Sequence, residues 1–576
     1  MMQLKLTRAV ALATAIAAVF AGAAVRADED RRGGNSHAVK HVLLISVDGL
    51  HQSDLDYYVN SHPDSTLAKL VDSGASFSNA RTPFPSDSFP GLTAQVTGGN
   101  PKSTGVYYDD SWNRALLAPG TIDCKNTAPG TEVTYFEALD LNPLAIDAGY
   151  GVGDISTAAA IQSNIYRLSG RATDLIDAAK LPIDPATCRG VYPHSYLRVN
   201  TVFEVAKVHG LHTAWSDKHA AYDLVNGPSG KGVDDLFAPE INSTVPADLV
   251  ADGAPDDDFT KGNLNTQFYD SLKVRAVLNW AAGKNHDGSP NAAGIPAIFG
   301  MNFQTVSTAQ KLNKSHYVGD QGLSGLGGYT SGGTLPGPVV SGALDFIDAS
   351  MKQIVQAIDP HDTVVILSAK HGQSPLNRAV LRLIDDGEVT GALNSAWTQL
   401  TGSSTPLVAF SICDDAMLLW LTDRSQQATE FAEEFLWGYQ PLQAGGSNPD
   451  GSFHDFSGTM LHSGLRKIYA GRDAAKLIGV SPHDARVPDL IGIAAVGTVY
   501  SSPTKIKKIS EHGGNAEQDR HVPIVVWGAG IKPERSNDHV ETTQIAPTIL
   551  RLLGLPTGEL KAVREEGTEA LPVGGG

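Results

Sequence analysis

The run HVLLISVDG at residues 41–49 decides the fold class. It is apolar at nearly every position and does not alternate, the pattern of a strand buried on both faces of a parallel sheet. It ends in Asp48-Gly49, and open α/β sheets place ligands at the carboxyl ends of their strands. Asp48 is therefore a candidate functional carboxylate, although a lone strand-end Asp is equally well explained as a turn residue. Similar runs recur at 212–216, 297–304, 363–369, 491–499 and 522–527. Helical patterns fall at 64–70, 200–210, 267–282, 344–358, 426–436 and 543–553. Alternation of the two predicts an α/β fold: a doubly wound, mostly parallel sheet. Polar residues collect at the strand ends: Asp48, Asp217 with His219, and Lys370 with His371.

The turn that follows the first strand reads RTPFPSDSFPGLTAQVTGGNPKSTG, residues 81–105. Ser88 lies just before an apolar helical run, and Pro90 suits a first helical turn, where its missing N–H costs nothing. Ser88 is then at or near the N-cap. Free backbone N–H groups and the helix dipole favour an anion there, so the hydroxyl is a candidate nucleophile as well as a cap.

Composition bounds the function. The chain has 576 residues and a net charge of −18, which argues against non-specific binding to nucleic acid or anionic membranes. A phosphate ester substrate is compatible, because a local cation or metal can reverse the field inside a cleft. Lys5 and Arg8 precede an apolar run at 9–24, and Val25-Arg26-Ala27 is a small-residue cleavage pattern. Residues 1–27 therefore read as a signal peptide, with a retained anchor as the alternative, and 28–40 as a flexible N-terminus. The mature chain is expected in the periplasm or outside the cell, without a membrane span. Of three cysteines, Cys124 and Cys188 flank one loop-rich segment and are expected to pair; Cys413 reads as a buried thiol. One domain is expected over 41–560, with insertions around 112–196 and 220–260, a Gly-rich lid or surface loop at 319–337, and a flexible tail at 561–576.

The motifs VDGL at Asp48, PSDSFPG followed by VTGGNPKSTG, SAKHGQSP at His371, EHGG at His512 and TTQIAPTILRLLG occur in this order. In that order the chain resembles the alkaline phosphatase superfamily, in its type I phosphodiesterase/nucleotide pyrophosphatase branch. The resemblance spans about 41–556 and implies a fold of alkaline phosphatase type. It also implies a Ser nucleophile flanked by two divalent metals, usually zinc, and a covalent phospho-enzyme. By the same resemblance Asp48, His371 and His512 match metal ligands, and Ser88 matches the nucleophile, which also touches metal. The implied function is a secreted hydrolase of small phosphoric esters, phosphodiesters or nucleotide pyrophosphates.

The pattern departs from the family at several places. Its Asp-His-Gly motif reads Lys370-His371-Gly372, and an ammonium does not ligate a cation. Its Asp-x-x-Gly-His motif falls on 306–310, VSTAQ, where only Gln310 offers an oxygen. Gly91 replaces an Asn after the nucleophile. Three readings follow. Asp217, His219, Asn302, Gln304 or Gln310 complete the metal sites, for one or two zinc ions; Lys370 stands in for a metal; or catalysis is lost. Asp217 and Lys218 read equally as a solvated surface pair. Lys370 is expected to turn inward and pair with Asp48, or to point away and leave the metal in place. Competing functions are a sulfatase-like or phosphonate hydrolase, against which Ser88-Phe-Pro-Gly-Leu lacks the sulfatase Arg, and a non-catalytic binding protein.

Overall fold

The computed structural model describes residues 39–249, 258–315, 325–448, 450–503, 506 and 508–574. The expected signal peptide and most of the expected flexible N-terminus lie outside the described residues, as do 250–257 of the expected insertion and 319–324 of the expected lid.

The central sheet has eight strands: β1 (His41–Val47), β2 (Ala75–Arg81), β3 (Ala214–Ser216), β4 (Asp235–Phe237), β5 (Ile298–Phe303), β6 (Thr363–Ser368), β7 (His521–Gly528) and β8 (Glu534–Glu541). Their spatial order is β8-β2-β7-β6-β1-β5-β3-β4. β1 pairs in parallel with β6 on one side and β5 on the other, with His41 opposite Thr363 and Val42 opposite Ile298. Only β7 runs against its neighbours β6 and β2. The sheet is thus doubly wound and mostly parallel. Val42, Leu43, Leu44 and Ile45 are fully buried, as an unalternating apolar run demands.

Three strands escape the apolar-run criterion. β8, ERSNDHVE, is a mostly exposed edge, where polar side chains also discourage further pairing. β2 is half polar, and β4 spans only three residues within a stretch that reads as loop. The run at 491–499 is a correction. It splits into Leu490–Ala494 and Thr498–Tyr500, which belong to two small four-stranded sheets outside the central one. Those sheets, with the helices Asp386–Thr401 and Gln426–Gly438, make a region at 382–500 with its own core around Leu393, Trp397, Leu419 and Leu436. Its alternating strands and helices imitate the central pattern, so the sequence did not mark it off.

Within the 112–196 segment, short strands and turns are joined by the Cys124–Cys188 disulfide, Cα–Cα 5.8 Å, while Cys413 is free and buried. The 220–260 segment is not a simple surface insertion: Tyr222 and Glu240 are fully buried. Within 325–337, Tyr329–Thr330 pairs with Leu335–Pro336 as a hairpin. The tail also departs from expectation, since Lys561–Glu566 is helical and Leu571 is buried. Glu566 accepts from Asn100 N and Ser103 Oγ and pairs with Lys102, which ties the tail to the turn after Ser88.

Candidate active site

Helix α1 (Ser88–Thr97) begins at the carboxyl edge of the sheet. Its N-cap is Asp87, whose carboxylate accepts from Phe89 N; Ser88 is the first helical residue. Every residue of α1 is buried, so it packs on all sides. Gly91 is what lets it approach: a Cβ there would meet the Lys370 carbonyl oxygen at 2.1 Å. A glycine at 91 is therefore required by the packing of α1 against the end of β6.

Ser88 Oγ lies at the meeting point of three strand ends. It is 3.2 Å from Asp48 Oδ2, after β1, and 3.1 Å from His371 Nε2, after β6. The third partner is Lys218, after β3, whose Nζ donates to Ser88 Oγ at 3.1 Å and reaches Asp48 Oδ2 and Gln304 Oε1 at 3.4 Å. His371 Nδ1 lies 2.9 Å from the Gly372 carbonyl, which can only accept. The proton is thereby held on Nδ1, leaving Nε2 as an acceptor toward the serine.

Asp48 is held on every side. Gln304 Nε2 donates to its Oδ2 at 2.6 Å, and Asn302, with its amide nitrogen turned to the carboxylate, donates to Oδ1 at 2.9 Å. Burial alone would push this carboxyl up, but Lys370, Lys218 and His371 outweigh it and hold it well below the usual range. Lys218 shows the mirror effect: burial opposes its charge, yet Asp48 and Asp217 leave its pKa raised. Burial, only partly offset by Asp48, pushes His371 down to about 3, so its ring is neutral.

Lys370 does turn inward, but not to Asp48. Its Nζ donates to both oxygens of Asp217 at 2.9 and 3.0 Å and to Tyr222 Oη at 2.9 Å, and both charged partners are fully buried. Asp217 also accepts from Trp215 Nε1 and Lys218 N. The pair at 217–218 is therefore not a solvated surface pair: Asp217 orients Lys370, and Lys218 faces the serine. Lys218 is the residue that sequence reasoning passed over, although it directly follows a strand-end Asp already singled out.

The remaining candidates separate. Gln310 sits away from Ser88 in a network with Gly49 O, Asp54, Tyr329 Oη and Gln373. His219 turns to Glu240. His512 lies against His371, with ring centroids 4.2 Å apart and planes tilted by 49°, and its Nδ1 is 3.6 Å from Asp87 Oδ2. Asp414, Glu511 and His512 form one group that could hold a cation. However, Glu511 is already paired with Lys311 and Lys508, which hold it at about 2 against the opposing effect of burial, and Asp414 accepts from Tyr108 Oη.

This donor set does not fit the two metals that the sequence resemblance implies. Of the expected ligand positions, Val306 is apolar, Gln310 is engaged elsewhere, and Lys370 is an ammonium. A second ammonium, Lys218, lies within 3.4 Å of both Asp48 and Ser88, where a cation between them would sit.

Residues 42–140 match the family model described as type I phosphodiesterase/nucleotide pyrophosphatase, so the resemblance read from the motifs is borne out there. No curated protein matches the chain in sequence. In fold, the chain is similar to wild-type alkaline phosphatase PafA, with TM-score 0.52, 12% identity, and 90% of this chain and 96% of that one covered. It is also similar to murine ectonucleotide pyrophosphatase/phosphodiesterase 5, with TM-score 0.50, 11% identity and coverages of 93% and 97%. The human form of that protein gives TM-score 0.50 at 13% identity, with the same coverages. The fold is thus of alkaline phosphatase type.

Proposed function

We propose that the protein hydrolyses phosphodiesters or nucleotide pyrophosphates through a Ser88 phospho-enzyme, without a metal between Asp48 and Ser88. One observation carries the reading: Ser88 Oγ opens a helix and lies 3.1 Å from both a neutral imidazole nitrogen and an ammonium. Support also comes from the murine relative of this fold, which has been crystallised as an inactive variant with AMP.

In this reading Ser88 Oγ attacks phosphorus, the P–O bond to the leaving alcohol breaks, and the serine proton passes through His371 Nε2 to that alcohol. Water then attacks phosphorus, the Oγ–P bond breaks and Ser88 regains its proton. An anionic substrate beside His371 raises the basicity that burial suppresses. Lys218 stabilises the charge growing on Oγ and on the phosphoryl oxygens. One ammonium in place of two dications suits a diester monoanion better than a monoester dianion. The Cys124–Cys188 bond supports an oxidising compartment, and the basic and apolar pattern at the N-terminus supports export of a mature chain that starts near Asp28. Among the described residues no helix is long and apolar enough to cross a membrane.

The test is turnover of bis(p-nitrophenyl) phosphate with acid-quench mass spectrometry. A p-nitrophenyl phosphoryl group on Ser88 and a loss of at least about 10³-fold in Ser88→Ala are expected. Full activity in Ser88→Ala, or no hydrolysis of any diester or pyrophosphate by the wild type, refutes the reading; the second result favours a binding protein.

A further inference from the structure

A second buried cluster lies one residue along the chain from Lys218. Glu137, His219 and Glu240 each present a ligand atom within 4.8 Å of the others. His219 Nδ1 is 2.9 Å from both oxygens of Glu240. That is close to the spacing of two adjacent ligands bound about 2.1 Å from a common ion. The Asp140 carboxyl lies against Glu240 and near Glu137. Asp140 is fully buried, and no donor group reaches either of its carboxylate oxygens, which face the Glu240 carboxyl. One oxygen of Glu137 is likewise buried and unpartnered. The nearby Lys180 ammonium donates to the Asp140 backbone carbonyl instead of its carboxylate. Three carboxyls and an imidazole thus share a buried space, and uncompensated carboxylates are costly there.

We propose that Glu137, His219 and Glu240, with Asp140 beside them, hold one divalent cation. Three oxygens and one imidazole nitrogen suit Mn²⁺ or Zn²⁺. The ion would cross-link the turn at 137–140 to the segment that follows Lys218. This site is separate from the positions at Asp48, His371 and His512, and it does not rest on the hydrolase reading.

The full-length mature protein, stripped by dialysis, is equilibrated with Mn²⁺ or, separately, Zn²⁺, desalted and read by plasma mass spectrometry. The expected result is one ion per chain for at least one of the two metals. Binding should persist in the Asp48→Asn/His512→Ala double variant. It should weaken at least about 100-fold in His219→Ala and in Glu137→Gln. Glu137 is partly exposed, so its variant keeps the test open if the core substitution does not fold. A wild-type protein that retains neither ion overturns the proposal. So does an ion that survives His219→Ala and Glu137→Gln.

Discussion

The cluster at Ser88 and the cluster at His219 are built from similar residue types but balanced differently. Around Ser88, the carboxylates of Asp48 and Asp217 face two ammonium groups, Lys218 and Lys370. Around His219, the carboxyls of Glu137, Asp140 and Glu240 converge on an imidazole, and Lys180, beside Asp140, donates to a backbone carbonyl. The first pocket carries its positive charge covalently; the second needs it from outside. Both follow from the loop after β3, where Asp217, Lys218 and His219 are consecutive and point to three different partners.

The sharpest way to break this comparison is at the serine itself, with the loss of at least about 10³-fold expected for Ser88→Ala. The next largest effect is on stability. Lys370→Met strands the buried Asp217 carboxylate and is expected to cost about 3–5 kcal/mol in chemical denaturation, whereas Lys370→Met/Asp217→Asn should recover most of that loss. Equal destabilisation by the single and double variants would show that the pair is not coupled.

Lys218→Ala removes the cation beside Oγ. A fall in kcat of about 10²–10³-fold is expected with KM changed much less, as when a donor that acts mainly in the transition state is removed. An unchanged kcat would assign Lys218 to structure alone. Cys124→Ser/Cys188→Ser opens a loop of sequence separation 64 and should cost about 2–4 kcal/mol of stability. It should leave kcat near that of the wild type, since neither cysteine contacts Ser88.

The smallest effect is a pH dependence. Asp48 has a folded-state pKa depressed by Lys370, Lys218 and His371 against burial. Its contribution to stability is therefore present above the unfolded carboxyl value, near 4, and is lost as pH falls from there toward the folded value. Asp48→Asn should flatten that acid limb of the stability curve, measured by urea denaturation at stepped pH.

The central strands were legible in the sequence because they are buried on both faces, and the order of motifs carried Asp48, Ser88 and His371 to one place. Less was legible at the edges. β8 is polar because it is exposed, and the region at 382–500 repeats the strand–helix alternation of the core it is attached to. At the site, the sequence named Lys370 as the unusual cation but not its partner. Which carboxylate an inward lysine meets depends on how β3 and β6 sit in the sheet, with β1 and β5 between them, and no local pattern encodes that. Lys218 was hidden for the same reason, since a strand-end Asp-Lys is a common surface pair until the strand is placed.

The most direct test of the account is an anomalous difference map at the zinc edge, from crystals of the wild-type protein equilibrated with Zn²⁺. The account predicts no peak within about 2.5 Å of Ser88 Oγ, with the Lys218 ammonium still beside both Asp48 and the serine. A peak coordinated by Asp48, Ser88 and His371, with Lys218 displaced, would contradict it.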